Sequence, residues 1–306
     1  GDLAFRLLEG KCAKIIEDES AADPAESSRV LDALAHDGRS SDAFETVISE
    51  YAGKVASLVP DENKEPDVLE DVDAIPQVDE WILSRFLAAQ KASGMDVSFL
   101  EGIWAKRRYM LFGEIFSSRY ETLLALGRFS EEAAAYKRDR GDAQTLPGIF
   151  DGYVGKWHLV DRRYRELFFA YGKMPSGRFK QSVAAQLNKI ASAYSAFLLD
   201  LTDRWQLHLM DEGKWPPADL TPQSDFFRDN IELAFPKDER GRRIGVIVSD
   251  ALRYEAGAEL AERLASSNAR ALRGRTSVSL AASASMIPSY TQLGMAALLP
   301  DGDMAI

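Results

Sequence analysis

Apolar side chains recur every three, four or seven residues through most of positions 3–210, which is the spacing of one face of an α-helix. A first stretch of this kind ends near Val59, and a second extends from Val78 to about Met210. The second stretch is rich in aromatic residues, whose spacing suits packing between helices better than the binding of a cofactor. The pattern predicts a mainly α-helical fold for the first two thirds of the chain.

Glycine and proline residues indicate where these helices end. The first stretch is interrupted at Pro24 and again at Gly38, which suits a left-handed helix C-cap. In the second stretch, the predicted breaks are Gly94, Gly127, Gly141 and residues 174–177.

Residues 61–76 separate the two helical stretches. They are acidic, low in aromatic residues and bordered by Pro60 and Pro76, which is typical of an exposed linker. We therefore predict a small acidic helical domain at residues 1–60, a linker at residues 61–76 and a helical middle domain at residues 77–236.

The last segment, residues 237–306, has a different pattern. Its sequence RIGVIVS, residues 243–249, is a compact run of β-branched residues that predicts a buried strand ending at Asp250. A helix, a second strand and another helix follow, predicted near Arg253–Ala265, Ala271–Leu280 and Thr291–Leu299. This β-α-β-α order predicts the start of a parallel sheet with a right-handed crossover.

The net charge of −11 is concentrated at the N-terminal end. Residues 1–75 contain 19 acidic and 7 basic side chains, whereas the remainder contains 29 and 30. An acidic surface repels nucleic-acid phosphates, so residues 1–75 are predicted to contact a basic protein surface. The alternative is an acidic helical face that contacts only solvent.

Two basic clusters, at residues 106–108 and 162–165, each lie beside an aromatic residue. Such clusters occur on nucleic-acid-binding surfaces. Asp161 and Glu166, however, lie at helical spacing from the second cluster, which favours a salt-bridged outer helix face.

No run of 18 apolar residues is present, and the N-terminus lacks the pattern of a signal peptide. The single cysteine, Cys12, excludes an intrachain disulfide and a thiolate metal cluster. We expect a soluble, cytoplasmic protein without membrane contacts. Because Gly1 begins within a helical pattern, we also expect this chain to be a piece of a longer protein.

Asp250 occupies a position suited to metal binding. In open α/β sheets the ligand site lies beyond the carboxyl ends of the strands, and a carboxylate there is a hard donor for a divalent cation. The alternative is that Asp250 caps the helix predicted at Arg253.

Thr291 is a candidate nucleophile because it follows Pro288 at the beginning of an apolar helix. The helix dipole and free backbone amides favour an incoming phosphoryl anion, and a bound metal would lower the pKa of the hydroxyl. An ordinary helix cap formed by Ser289 or Thr291 is the alternative.

The sequence VIVSDALRYE and, about forty residues later, MIPSYTQLGMAALLP resemble the opening of the alkaline-phosphatase superfamily and, more narrowly, of the PglZ family. The resemblance covers about residues 240–300 and is looser over residues 194–206. It implies an alkaline-phosphatase-like parallel-sheet core in which Asp250 binds metal and Thr291 is both nucleophile and metal ligand. Ser289 is the alternative nucleophile.

The resemblance also implies a biological setting. PglZ proteins belong to BREX phage-defence systems, where they act with a DNA methyltransferase, ATPases and small accessory proteins. It implies a divalent zinc, manganese or magnesium ion in the intact protein. Other BREX components are the implied partners, and the acidic residues 1–75 are the favoured contact region.

A two-metal site of this class needs further Asp and His ligands, which the family supplies well after the nucleophile. All three histidines of this sequence precede Asp250, and after Thr291 the acidic residues are Asp301 and Asp303. The histidines are His36, His158 and His208, each of which suits a structural position. His208 has Glu212 one helical turn away, but two ligands are too few for a metal site.

We therefore predict a fragment of a metal-dependent phosphoesterase that binds no metal and is inactive alone. Nucleic acid would bind only to the complete protein. The alternative is a non-catalytic interaction scaffold within the defence complex.

Overall fold

The computed structural model describes residues 2–16, 23–36, 41–233, 244–271 and 277–300. Nearly all of the regular structure in these ranges is helical, which confirms the prediction of a mainly α fold. The α-helices are α1 Asp2–Lys11, α2 Ala13–Ile16, α3 Pro24–His36, α4 Ser41–Ala56, α5 Pro66–Leu69, α6 Gln77–Ala92, α7 Val97–Arg107, α8 Gly113–Asp139, α9 Leu146–Gly152, α10 His158–Lys173, α11 Arg178–Asp211, α12 Tyr254–Ala271 and α13 Thr291–Ala297. Short 3-10 segments lie at Asp61–Lys64, Arg140–Asp142 and Gln223–Asp225, and π-helical segments at Tyr153–Trp157 and Phe227–Glu232. Within the described ranges, no helix combines the length and apolarity needed to cross a bilayer.

The chain forms two compact units. The first comprises Gly1–Glu131 and Arg163–Ser192, and the second comprises Glu132–Arg162 and Ala193–Ile306. The domain boundaries expected from the sequence remain a prediction.

In the first unit, helices α1, α3 and α4 pack against one another. Their shared core contains fully buried apolar side chains, including Leu8, Cys12, Ile15, Leu31 and Val55. Burial raises the pKa of the Cys12 thiol to about 12, so this cysteine stays protonated at neutral pH and serves the core as a small apolar side chain.

The acidic segment 61–76 is not simply an exposed linker. Leu69, Val72, Ala74 and Ile75 are buried, whereas Val68 and the acidic side chains Asp61, Glu62 and Asp67 are exposed. The prediction of exposure was wrong for the four buried residues because average composition hides which side of a segment each residue occupies.

A buried ion pair joins this segment to α6 and α7. Arg107 donates from Nε and Nη2 to the two carboxylate oxygens of Asp79, at 2.6 and 2.8 Å, and both side chains are 1% exposed. The Tyr120 hydroxyl also donates to Asp79, and Arg107 Nη1 donates to the carbonyl oxygens of Leu69 and Val72. Every nitrogen of this guanidinium is therefore bonded within the protein.

The first basic cluster is thus paired with carboxylates, but its central residue is buried rather than on an outer face. Lys106 contacts Glu70, at 2.8 Å, on the surface. In the second cluster, Arg163 contacts Glu166 at 2.7 Å, as its helical spacing predicts. Arg107 is consequently not accessible to a nucleic-acid backbone.

The predicted break at Gly127 was wrong, because α8 continues through it. A Cβ atom at Gly127 would lie 2.5 Å from Val97 Cγ2, so the glycine permits close packing against α7. Gly94, with φ of +100°, does separate α6 from α7.

Aromatic side chains form the core of the second unit. The ring of Tyr136 makes edge-to-face contacts with Trp157 and Phe197, at centroid distances of 5.2 and 4.7 Å. Its hydroxyl donates to Asp200, at 2.5 Å, and Arg140 contacts the same carboxylate. These contacts fix the end of α8 and the start of α10 on α11.

In the described ranges, the predicted parallel sheet is not present. Residues 244–249 have no regular secondary structure and no paired strand there, and Ile247 is 95% exposed. One parallel bridge, between Pro222 and Ala284, is present in the described part of the chain. High β-propensity favours an extended backbone, but a ladder also needs neighbouring strands for its N–H and C=O groups. Residues 237–243 and 272–276 lie outside the described residues.

Candidate active site

The two candidate site residues are in contact. Thr291 Oγ1 donates a hydrogen bond of 3.2 Å to Asp250 Oδ2, although the residues are 41 positions apart. Both side chains are exposed and line a cleft of about 740 Å³. The structure thus brings a carboxylate and a hydroxyl together in a space open to ligands.

Asp250 lies at a turn between residues 244–249 and α12. The next residue, Ala251, has a φ of +56°, which costs roughly 1–2 kcal/mol for a residue other than glycine. Because α12 begins at Tyr254, the position before the helix belongs to Arg253, and Asp250 is not its N-cap. Strained backbone next to an exposed carboxylate is a frequent feature of functional sites.

Thr291 is the first residue of α13. The N-cap position is occupied by Tyr290, which makes no side-chain cap hydrogen bond, so the Thr291 hydroxyl does not serve as the cap. Gln223 fixes the surrounding segments: its backbone N–H donates to Ala284, at 2.8 Å, and its side-chain amide donates to Gly294, at 3.2 Å. The loop before Thr291 and the helix after it are therefore attached to one residue.

A second cavity lies next to this loop. It has a volume of about 350 Å³ and a mostly apolar lining that includes Trp205 and Trp215. Trp215 Nε1 donates to the carbonyl oxygen of Ser285, at 2.9 Å, and Ser285 lines both cavities. Ser289, the alternative nucleophile, lines the larger cleft together with Thr291.

A hydrogen-bond network anchors the segment just after Asp250. The buried carboxylate of Asp161 accepts from the hydroxyls of Tyr153 and Tyr194, at 2.6 and 2.5 Å, and from Arg253 Nη2, at 2.8 Å. Burial is the main cause that raises the pKa of Tyr194 to about 12, and the hydrogen bond to Asp161 also contributes. The Tyr194 hydroxyl therefore remains a donor at neutral pH.

This network is not predicted from the sequence. Helical spacing pairs Asp161 with the arginines of its own helix, whereas in the structure it pairs with Arg253, 92 residues later. No local pattern links residues so far apart; the available sign was a carboxylate on a face rich in aromatic side chains.

The two site residues fit a divalent cation in chemical type, since a carboxylate and a hydroxyl are hard oxygen donors. They are two donors, and no group of three or more His, Cys, Asp or Glu side chains suited to a metal occurs in the described ranges. His36 and His158 each donate from Nδ1 to a backbone carbonyl oxygen, at 2.8 and 3.0 Å. Asp301 and Asp303 lie outside the described residues.

Residues 226–306, which include both members of the contact, match the sequence model of the BREX system PglZ alkaline phosphatase-like domain. Over this segment the chain is similar to the PglZ family. The resemblance seen in the sequence is thereby confirmed.

The similarity to PglZ-family proteins extends beyond this segment. The "Alkaline phosphatase-like protein PglZ" of Bacillus cereus (strain H3081.97) is 31% identical over 207 residues, which are 66% of this chain and 22% of the relative. The "Alkaline phosphatase-like protein BrxZ" of Escherichia coli O9:H4 (strain HS) is 32% identical over 156 residues, 50% of this chain and 17% of the relative. The chain spans about a fifth of the length of these relatives. No solved structure shows a significant match.

Proposed function

We propose that this chain is part of a metal-dependent phosphoric-ester hydrolase of a BREX phage-defence system. The observation that carries the proposal is the contact between Thr291 and Asp250 inside the segment that matches an alkaline phosphatase-like domain. A carboxylate that accepts a hydrogen bond from a hydroxyl in an open cleft can orient that hydroxyl for nucleophilic attack on a phosphoester.

In this proposal Thr291 is the nucleophile and Asp250 orients its hydroxyl. Thr291 Oγ1 gives its proton to Asp250 and forms a bond to phosphorus as the bond from phosphorus to the leaving ester oxygen breaks. The leaving oxygen takes up a proton, and water later cleaves the bond between Thr291 and the phosphoryl group and restores the hydroxyl. Asp250 and Thr291 also provide oxygen ligands. A zinc, manganese or magnesium ion held there would lower the pKa of the hydroxyl and offset negative charge on the phosphoryl group.

Two donors are fewer than the three protein ligands of a typical catalytic zinc site. We therefore propose that the remaining ligands belong to the intact protein and that this 306-residue chain is inactive alone. The intact protein is expected to hydrolyse a chromogenic phosphodiester, to lose this activity with a chelator and to regain it with a divalent metal. Chelator-resistant hydrolysis would refute metal dependence, and metal-stimulated hydrolysis by the short chain would refute the proposed incompleteness.

A second role is protein binding through the acidic residues 1–75, with a basic surface of another BREX component as the partner. The observation favouring it is the segment 61–76, in which Asp61, Glu62 and Asp67 are exposed while several apolar side chains are buried. Asp61, for example, has a side chain that is 90% exposed. We also propose a cytoplasmic location, which rests on the cysteine content of the sequence.

Neutralising this surface tests the second role better than deletion, because deleting residues 1–75 would also remove buried core residues. The triple variant Asp61→Asn, Glu62→Gln, Asp67→Asn is expected to lower recovery of BREX components in a pull-down several-fold, most strongly at low salt. The matched control neutralises three exposed acids of the second unit: Asp203→Asn, Asp211→Asn and Glu212→Gln. Equal recovery with both variants would show that the acidic segment is not the interface.

A further inference from the structure

Arg253 lines the same cleft as Asp250 and Thr291. Among the described residues that line it, Asp250 is the carboxylate and Arg253 is the guanidinium. The Arg253 side chain is 55% exposed, so a ligand in the cleft has access to it. A phosphoester entering this space therefore meets one positive side chain.

The guanidinium is held along one edge. Its Nη2 atom donates to the buried Asp161 carboxylate, at 2.8 Å, and to the Tyr194 hydroxyl, at 3.2 Å. In the part of the chain that the structure describes, Nε and Nη1 make no hydrogen bond to protein. These two nitrogens carry three N–H donors, which remain available to a ligand.

Arg107 is an arginine with a structural role and provides a comparison for Arg253. All three of its side-chain nitrogens donate to protein acceptors, and it is 1% exposed. Arg253, in contrast, contacts Asp161 through Nη2 alone, and its Nε and Nη1 atoms make no hydrogen bond within the described residues. This difference points to a ligand rather than to a second internal ion pair.

The chemistry of the exposed fork matches a phosphate group. The free Nε–H and Nη1–H groups can each donate to a phosphate oxygen, singly because both paired edges of the guanidinium include the occupied Nη2. The charge of Arg253 also offsets the repulsion that Asp250 exerts on an anion. Anchoring by Asp161 and Tyr194 limits the entropy lost when the ligand binds.

We propose that Arg253 binds the phosphate group of the substrate and that Asp161 and Tyr194 position it. The identity of the ligand as a phosphoester rests on the proposed function. The anion site itself belongs to this chain and requires no hydrolysis.

The test uses the 306-residue chain and inorganic phosphate, with binding followed by ³¹P NMR titration at constant ionic strength. Arg253→Met is expected to raise the phosphate Kd at least about tenfold, since bonds to a charged group are lost. The matched control is Arg263→Met on the same helix, because Arg263 is 75% exposed, pairs with Glu259 and is not part of the cleft lining. Its Kd is expected to stay within about twofold of the unmodified chain, because Arg263 does not line the cleft.

Arg253→Met also leaves the buried Asp161 carboxylate without its cation, so folding is monitored by circular dichroism. The double variant Arg253→Met, Asp161→Asn removes both charges and keeps the network neutral. Weak phosphate binding by this folded double variant supports the proposal. Unchanged binding by either folded variant would make Arg253 a structural partner of Asp161 only, and absence of phosphate binding by the unmodified chain would equally overturn the proposal.

Failure here is distinguishable from failure of the proposed function. If Thr291→Ala leaves hydrolysis by the intact protein unchanged while Arg253→Met weakens phosphate binding, the anion site stands and the nucleophile assignment fails. The reverse pattern overturns the role of Arg253 and leaves Thr291 as the nucleophile.

Discussion

Replacing Thr291 with alanine in the intact protein is expected to lower kcat for phosphodiester hydrolysis roughly 1000-fold or more, because no other group takes over bond formation to phosphorus. Asp250→Ala is expected to have a loss of similar size and also to raise the metal concentration that gives half-maximal activity. Steady-state kinetics across a metal titration separate the two effects.

Two further variants make this prediction specific. Thr202→Ala removes an exposed hydroxyl that bonds only to its own helix, at Leu198, and serves as the matched control for loss of a threonine hydroxyl. Ser289→Ala tests the alternative nucleophile in the same cleft. A large loss with Ser289→Ala, together with normal turnover by Thr291→Ala, would transfer the nucleophile to Ser289.

Asp79→Ala is expected to destabilise the first unit by about 3–5 kcal/mol, because it leaves the Arg107 cation buried without its carboxylate. The Tyr120 hydroxyl loses its acceptor at the same time. Urea unfolding of the 306-residue chain, followed by circular dichroism, measures the loss.

The matched control is Glu101→Ala, which removes the carboxylate of a more exposed pair with Arg128 in the same unit. That change is expected to cost less than about 1 kcal/mol, since exposed ion pairs are screened by water. The double variant Asp79→Leu, Arg107→Met removes both buried charges and is expected to regain most of the stability lost by Asp79→Ala. Equal destabilisation by Asp79→Ala and Glu101→Ala would contradict this account of the buried pair.

Secondary structure that depends on residues close together in the sequence could be predicted. Helices α12 and α13 begin at Tyr254 and Thr291, within one residue of the predicted starts, because helical hydrogen bonds join residues four apart. Residues 243–249 have equally clear β-propensity, but a strand depends on partners elsewhere in the chain. Local sequence therefore predicted the helices and did not establish the sheet.

Some residues of the candidate site could likewise be predicted from the sequence, and others could not. The pairing of Asp250 with Thr291 was implied by the resemblance of VIVSDALRYE and MIPSYTQLGMAALLP to the PglZ family, because neither residue alone distinguished a site from a helix cap. Arg253 lies three residues after Asp250, yet its role depends on Asp161, whose position follows from the packing of α10 and α11. Similarly, the acidic composition around Asp67 concealed the buried side of segment 61–76.

The 92 residues that separate Asp161 from Arg253 also bear on the order in which this unit folds. Bringing together residues so far apart in sequence has a large cost in chain entropy. The local hydrogen bonds of α10 and α11 form without that cost. Until those helices bring Asp161 and Tyr194 together, nothing in the network can hold Arg253 or the turn at Asp250. The geometry of the cleft is therefore expected to arise late in folding, and to be lost early when α10 and α11 separate.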